Sequence, residues 1–170
     1  MRNPLASVLA RGVVVLANSA RKLQSLQLRI TAGEVKDDIE HLEPYGVTSC
    51  PLEGAEALVG FFGDRSHGVV IMVADRRFRL QGLKPGEVAL YTDEGDYLQF
   101  KRGRVIEVET VTLKVKAEAG VEFDTPLIRT TGRIESDGDQ VAAGISQIEH
   151  VHDGVLNGLG STNKPVGGEA

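Results

Sequence analysis

YLQFKRGRVIEVETVTLKVKAEAGVEF, residues 97–123, decides the fold. Its apolar residues come in pairs two positions apart: Leu98 and Phe100, Ile106 and Val108, Leu113 and Val115, Val121 and Phe123. On an extended chain alternate side chains leave the same face, so each pair marks a short strand with one apolar side. The pairs recur every seven or eight residues, and Leu127 and Ile134 continue the series. Gly95, Gly103, Gly120, Gly132 and Gly138 punctuate it, with Asp and Thr beside them. The pattern predicts a staircase of four- to five-residue strands with tight corners.

One face of such a staircase is apolar and has no neighbour in its own chain to cover it. Three intertwined copies around a common axis would bury that face and leave Lys, Arg and Glu outside. Six strands per chain, stacked at roughly 4.8 Å per layer, give a shaft about 30 Å long. A single-chain β-solenoid fits less well, because its interior needs longer apolar runs and a cap.

Upstream the pattern differs. Residues 13–16 (VVVL) and 23–30 (LQSLQLRI) read as strands joined by the turn-prone Asn18-Ser19-Ala20. A polar stretch, residues 33–43, separates them from a further strand expected at 47–50 (VTSC). Residues 57–62 and 69–73 read as two more, bounded by turns at 51–54, 63–67 and 75–77. Five short strands in this span predict a small antiparallel barrel of the OB type. Residues 1–10 hold Leu5, Val8 and Leu9 at helical spacing after Pro4 and read as a short helix or arm. The expected divisions are therefore 1–10 for the N-terminal arm, 11–90 for the OB-fold domain, 91–146 for the shaft and 147–170 for an apex.

Composition narrows the function. The 170 residues are 41% hydrophobic and 25% charged, which excludes general disorder. No run approaches the roughly 20 apolar residues that span a bilayer. The N-terminus is too charged and interrupted for a secretory signal, so synthesis and folding are expected in a cytoplasm. The lone Cys50 excludes an internal disulfide. A net charge of −5 argues against a nucleic-acid partner, which would require clustered Lys and Arg. All eight aromatic residues fall between Tyr45 and Phe123, so the last 47 residues contain none. Such a tail cannot build a private core. It is either disordered or buried against other chains.

The chemistry concentrates at His150-Val151-His152. On a strand, histidines at i and i+2 point to one side, about 7 Å apart. Two imidazoles are too few for a tight site, but a threefold axis collects six. Six nitrogen ligands suit octahedral coordination, and zinc usually stops at four, which favours iron or nickel. The plainer reading is a pair of exposed histidines on a tail. His67, after Asp64-Arg65-Ser66, cannot form a triad with its own neighbours and is assigned a structural or interface role. His41 is expected to be solvated. The acidic clusters Asp37-Asp38, Asp93-Glu94-Gly95-Asp96 and Asp137-Gly138-Asp139 are read as turns and solubilising charge rather than cation sites. No phosphate loop, nucleophile elbow, zinc-protease helix or dinucleotide fingerprint is present, so an enzyme is not expected.

Four stretches carry a family resemblance. They are residues 11–15 (RGVVV); Tyr45-Gly46 leading to 54–56 (GAE); 73–79 (VADRRFR) running into 82–87 (GLKPGE) and 90–97 (LYTDEGDY); and His150-Val151-His152 with Gly154, Val155, Gly158, Thr162 and Pro165. With these the sequence resembles the central baseplate spikes of contractile-tailed phages, the baseplate assembly protein V family, and most closely the phage Mu type. The likeness covers nearly the whole chain.

The resemblance implies a homotrimer with an N-terminal OB-fold, a triple-stranded β-helix and a pointed, metal-capped apex. It implies one iron ion per trimer, held by His150 and His152 of each chain, and admits calcium and chloride ions on the axis at no assigned residue. It also implies a place in the virion tail baseplate, contacts with tail tube and baseplate hub proteins, and the host outer membrane as target. A tail lysozyme fused to the spike is not expected, for want of length. The alternative is an OB-fold module that binds nucleic acid or carbohydrate and carries an oligomerising β-tail. Such a module would want a basic groove with stacking aromatics.

Overall fold

Alternating apolar residues draw the N-terminal half into strands. The computed structural model describes residues 8–62, 67–151, 153–154 and 158, and among them the regular structure is all β. Contacts divide the chain into two units, Met1–Lys116 and Ala117–Ala170.

The first unit begins with β1 (Leu9–Asn18), β2 (Ser25–Thr31), β3 (Glu34–His41), β4 (Glu56–Phe61) and β5 (Gly68–Ala74). They close a barrel in the order β1-β2-β3-β5-β4, sealed by antiparallel pairing of β1 with β4. Pairing is antiparallel throughout except between β3 and β5, where Glu40 and His41 lie beside Val69 and Val70 in parallel. The expected closed five-stranded barrel is present, but with one parallel pair where the sequence predicts an antiparallel barrel. Its core holds Val14, Leu26, Leu28, Ile39, Ala55, Ala57, Val59, Phe61 and Val70. Leu26 with Leu28, and Ala57 with Val59 and Phe61, show the two-residue period of strands with one buried face. Gly68 is required where it stands: a Cβ there would lie 2.9 Å from the Phe61 ring.

Several details differ from the sequence reading. The short strands expected at Leu113/Val115 and Val121/Phe123 are irregular chain, without a ladder partner to make them strands. The polar stretch at 33–43 is not a connector but contains β3, which needs only Ile39 and His41 to face inward. The VTSC segment is not a strand. Its backbone is held by side chains instead of a ladder: Ser49 N–H donates to Glu43 (2.6 Å) and the Ser49 carbonyl accepts from Gln24 (2.7 Å). Leu9 and Ala10, expected in an arm or short helix, are the first residues of β1; the rest of that arm, 1–7, lies outside the described residues.

The same unit continues into a meander of β6 (Val88–Tyr91), β7 (Tyr97–Lys101) and β8 (Val105–Glu109). In the second unit, residues 117–140 carry bends at 118–119, 125–126, 131–132 and 137–138. A two-stranded hairpin follows, β9 (Val141–Ala142) with β10 (Ile145–Ser146).

Candidate functional site

Register makes the β6–β8 sheet two-faced. Val88 pairs with Phe100 and Leu90 with Leu98, while Leu98 pairs with Val108 and Phe100 with Ile106. Directly paired residues share a face, so these six apolar side chains form one array. Val88, Leu90, Phe100, Ile106 and Val108 are 47% to 62% exposed in the single chain.

The opposite face carries Ala89, Tyr91 and Val105 beside polar groups, and those polar groups pair with one another within the chain. The Tyr97 hydroxyl lies 2.8 Å from Glu107 and 2.6 Å from Glu109, and Lys101 pairs with Glu107 at 3.0 Å. Hydrogen bonding first to Glu109 and then to Glu107 pushes the Tyr97 phenol up. Lys101 first, and then Tyr97, hold the Glu107 carboxyl below its ordinary value. Glu87 fastens the neighbouring turns, accepting from the N–H groups of Lys84 (2.9 Å) and Arg102 (3.0 Å). A side of paired polar groups thus backs an uncovered apolar one.

Farther on, hydroxyls form the corners. Thr125, Thr130 and Ser136 each donate to the carbonyl two residues ahead, at Leu127, Gly132 and Gly138. The apolar residues before and between them, Val121, Phe123, Leu127, Ile128 and Ile134, are all exposed.

Beyond these corners the chain turns toward His150. Ala143 and Gly144, with φ of 49° and 81°, make the two-residue turn between β9 and β10. Asp139 Oδ1 accepts the N–H groups of Gln147 (3.0 Å) and Ile148 (3.3 Å), and Ser146 Oγ accepts that of Glu149 (2.8 Å). The Ser146 hydroxyl first, then the N–H groups of Ile148, Gln147 and Gln140, hold the Asp139 carboxyl below its ordinary value. His150 is exposed, with Nδ1 2.8 Å from the Ser146 carbonyl. A carbonyl oxygen only accepts, so Nδ1 carries the proton and a neutral ring keeps its lone pair on Nε2. Among the described residues no three potential ligands of one chain converge on a metal position.

His41 contradicts its sequence reading. It is not solvated but 5% exposed, and Nδ1 lies 2.9 Å from Gln24 Oε1. The reason is the alternation of β3, which turns Ile39 and His41 into the barrel. Burial pushes its imidazole down. Desolvation pushes the nearby Glu43 carboxyl up, but hydrogen bonds from Ser49 and Thr48 outweigh it and leave the group below its ordinary value.

Comparison with known proteins gives a consistent picture. Residues 11–77 match the family described as Bacteriophage Mu Gp45, N-terminal. The "Baseplate puncturing device gp45" of Escherichia phage Mu is 37% identical over 164 residues, covering 94% of this chain and 82% of that protein. The chain belongs to the Mu gp45 family. A second relative, the "Mu-like prophage FluMu protein gp45" of Haemophilus influenzae, is 34% identical over 165 residues, 90% of each chain.

Within this Mu gp45 relative, the residues singled out by sequence fall unevenly. His150 directly follows the turn after β10, and His152, Val155, Thr162 and Pro165 lie outside the described residues. Asp93-Glu94-Gly95-Asp96 forms the turn closing β6 and β7, with Thr92 N–H on the Asp96 carbonyl at 3.0 Å. Asp139 and Ser146 were not legible as partners of His150. Their only sequence signal is an Asp-Gly-Asp corner and a serine four residues before the histidine.

Proposed function

We propose that three copies of this chain form the central spike of a phage or phage-like tail baseplate, which pierces the host outer membrane when the tail contracts. The observation that carries this reading is the apolar array on β6–β8, uncovered in one chain while the polar groups behind it already pair with one another. Three chains winding their apolar faces together would bury it and continue the burial through Val121, Phe123, Leu127 and Ile134. The barrel strands run from Leu9 to Ala74, so the triple-stranded β-helical shaft, expected from 91, begins instead with β6 at Val88; it runs to 146 and the apex occupies 147–170.

The role is mechanical. Contraction supplies the force, and the spike transmits it without buckling. Separating interwoven chains requires breaking many ladder hydrogen bonds and exposing a shared core in one event. The baseplate hub and tail tube are its partners, the virion tail baseplate its place, and the cytoplasm of the bacterial host its site of synthesis. The similarity to a relative named a puncturing device supports this assignment.

At the tip, His150 and His152 of each chain would hold one iron ion. The chemistry of the donor set fits: Nδ1 of His150 is already committed to the Ser146 carbonyl, which directs the Nε2 lone pair to a metal. Iron, when bound, supplies a cross-link between three chain ends that would otherwise fray.

Sedimentation of the full chain, with elemental analysis of the same sample, tests this reading. The expected result is three times 18.2 kDa and one iron per trimer. His152→Ala should remain trimeric without stoichiometric metal. A well-folded monomer would overturn the spike, and one metal per three chains in that variant would overturn the ligands.

A further inference from the structure

We propose that Asp139 and Ser146 are positioning residues that hold His150 in a single tautomer and orientation, with Nε2 presented as the donor atom. This rests on the reading of His150 as a metal ligand and adds the device that prepares it.

The turn after β10 has three consecutive N–H groups, of Gln147, Ile148 and Glu149, with no place in a long ladder. Side chains take all three: Asp139 Oδ1 the first two at 3.0 and 3.3 Å, and Ser146 Oγ the third at 2.8 Å. Gln147 N–H is shared with the Gln140 carbonyl at 3.0 Å, which ties the turn to the base of the β9–β10 hairpin. Gathering these groups curls the chain back until the Ser146 carbonyl reaches His150 Nδ1 at 2.8 Å. With the proton on Nδ1, the ring can coordinate only through Nε2, the nitrogen farther from the backbone.

The Nδ1 side of the ring is already arranged as a ligating histidine requires. A ligating histidine needs its other ring N–H fixed by a carbonyl or carboxylate, and here the carbonyl is already in place. Asp139 binds the N–H groups of Gln147 and Ile148 and is assigned neither a ring nitrogen nor the metal. It acts through the turn.

The test uses the full chain, as wild type, Asp139→Ala and Asp139→Asn. Nitrogen-15 spectra of the histidines after chelator stripping read the tautomer, and competition for ferrous iron against a chelator of known affinity reads the donor strength. Wild type should show His150 protonated at Nδ1. Asp139→Ala should lose that bias and bind iron about 10- to 100-fold more weakly, while sedimenting as wild type. Asp139→Asn, which keeps an oxygen for the two N–H groups, should stay near wild type. Should Asp139→Ala fail to fold, Ser146→Ala against Ser146→Thr makes the same comparison through the Glu149 N–H.

An Nε2-protonated His150 in wild type, or an Asp139→Ala protein with unchanged tautomer and iron affinity, overturns the proposal. If wild type takes up no iron, the ligand assignment fails by itself, and the tautomer spectra of wild type and Asp139→Ala alone decide the positioning role.

Discussion

Nδ1 of His41 donates to Oε1 of Gln24 across 2.9 Å, and both side chains are enclosed by the barrel. Gln24 spends its amide N–H on the Ser49 carbonyl at 2.7 Å, so its oxygen is the acceptor and the imidazole the donor. The pair therefore ties β3 to the segment that follows it.

Burial lowers the folded-state pKa of His41 below its ordinary 6.5. In the unfolded chain the ring protonates near that value, while in the folded barrel it stays neutral to lower pH. The unfolded state then binds more protons, and stability falls as pH drops. The contribution is complete above pH 6.5 and is lost from there down to the depressed folded value. The slope is at most about 1.4 kcal/mol per pH unit. Urea unfolding between pH 7.5 and 5 should show this decline. His41→Leu, which cannot titrate, should flatten it; an unchanged slope would refute the assignment.

Gly68 should not tolerate a side chain. A Cβ there would meet the Phe61 ring at 2.9 Å and Val59 Cγ1 at 3.2 Å, both in the core. Overpacking of this kind costs about 1–3 kcal/mol. Gly68→Ala should lower the barrel's urea midpoint, and Gly68→Ala with Phe61→Leu should recover part of the loss.

The sequence made some of this architecture legible and hid the rest for physical reasons. β1, β2, β4 and β5 carry apolar residues on both sides or in strict alternation, so composition exposes them. β3 is hidden because Glu34, Lys36, Asp37, Asp38 and Glu40 dominate it, and because Asp38, at φ 57°, sits in a bulge held by Arg21. VTSC misleads in the other direction: β-branched residues suggest a strand where Glu43 and Gln24 have captured the backbone. The paired apolar residues in the β6–β8 sheet are legible because register places them opposite one another, Leu98 on Val108 and Phe100 on Ile106. The surroundings of His150 depend on the Asp139 and Ser146 side chains, captured by turn N–H groups, and on one backbone carbonyl. Asp139 pairs across eight or more residues, which no local spacing announces.

The apolar array of β6–β8 makes a prediction about assembly. Phe100→Asp would place a carboxylate in the middle of the face that three chains share, where desolvation without a partner is costly. Sedimentation at micromolar concentration should show monomer, with the barrel still folded by far-ultraviolet circular dichroism. Glu109→Gln, on the opposite face of the same sheet, keeps an oxygen for the Tyr97 hydroxyl and should leave the mass unchanged. Equal behaviour of the two variants would show that the array is not an interface.

Ala143 carries a φ of 49° beside Gly144 at 81°. These values make a type I′ turn, whose first position favours Asn or Gly because a Cβ in the left-handed region crowds the following carbonyl. The strain falls on the hairpin that leads into His150. Ala143→Asn, whose side chain can hydrogen-bond locally in that region, should relieve part of it, and Ala143→Val, with a branched Cβ, should increase it. The informative probes are the amides of Gln147 and Ile148, which reach Gln140 and Asp139 only when the hairpin is closed. Hydrogen exchange at both should slow in Ala143→Asn and quicken in Ala143→Val, with barrel amides unaffected. Indistinguishable exchange in the two variants would mean that the hairpin does not control the turn carrying His150.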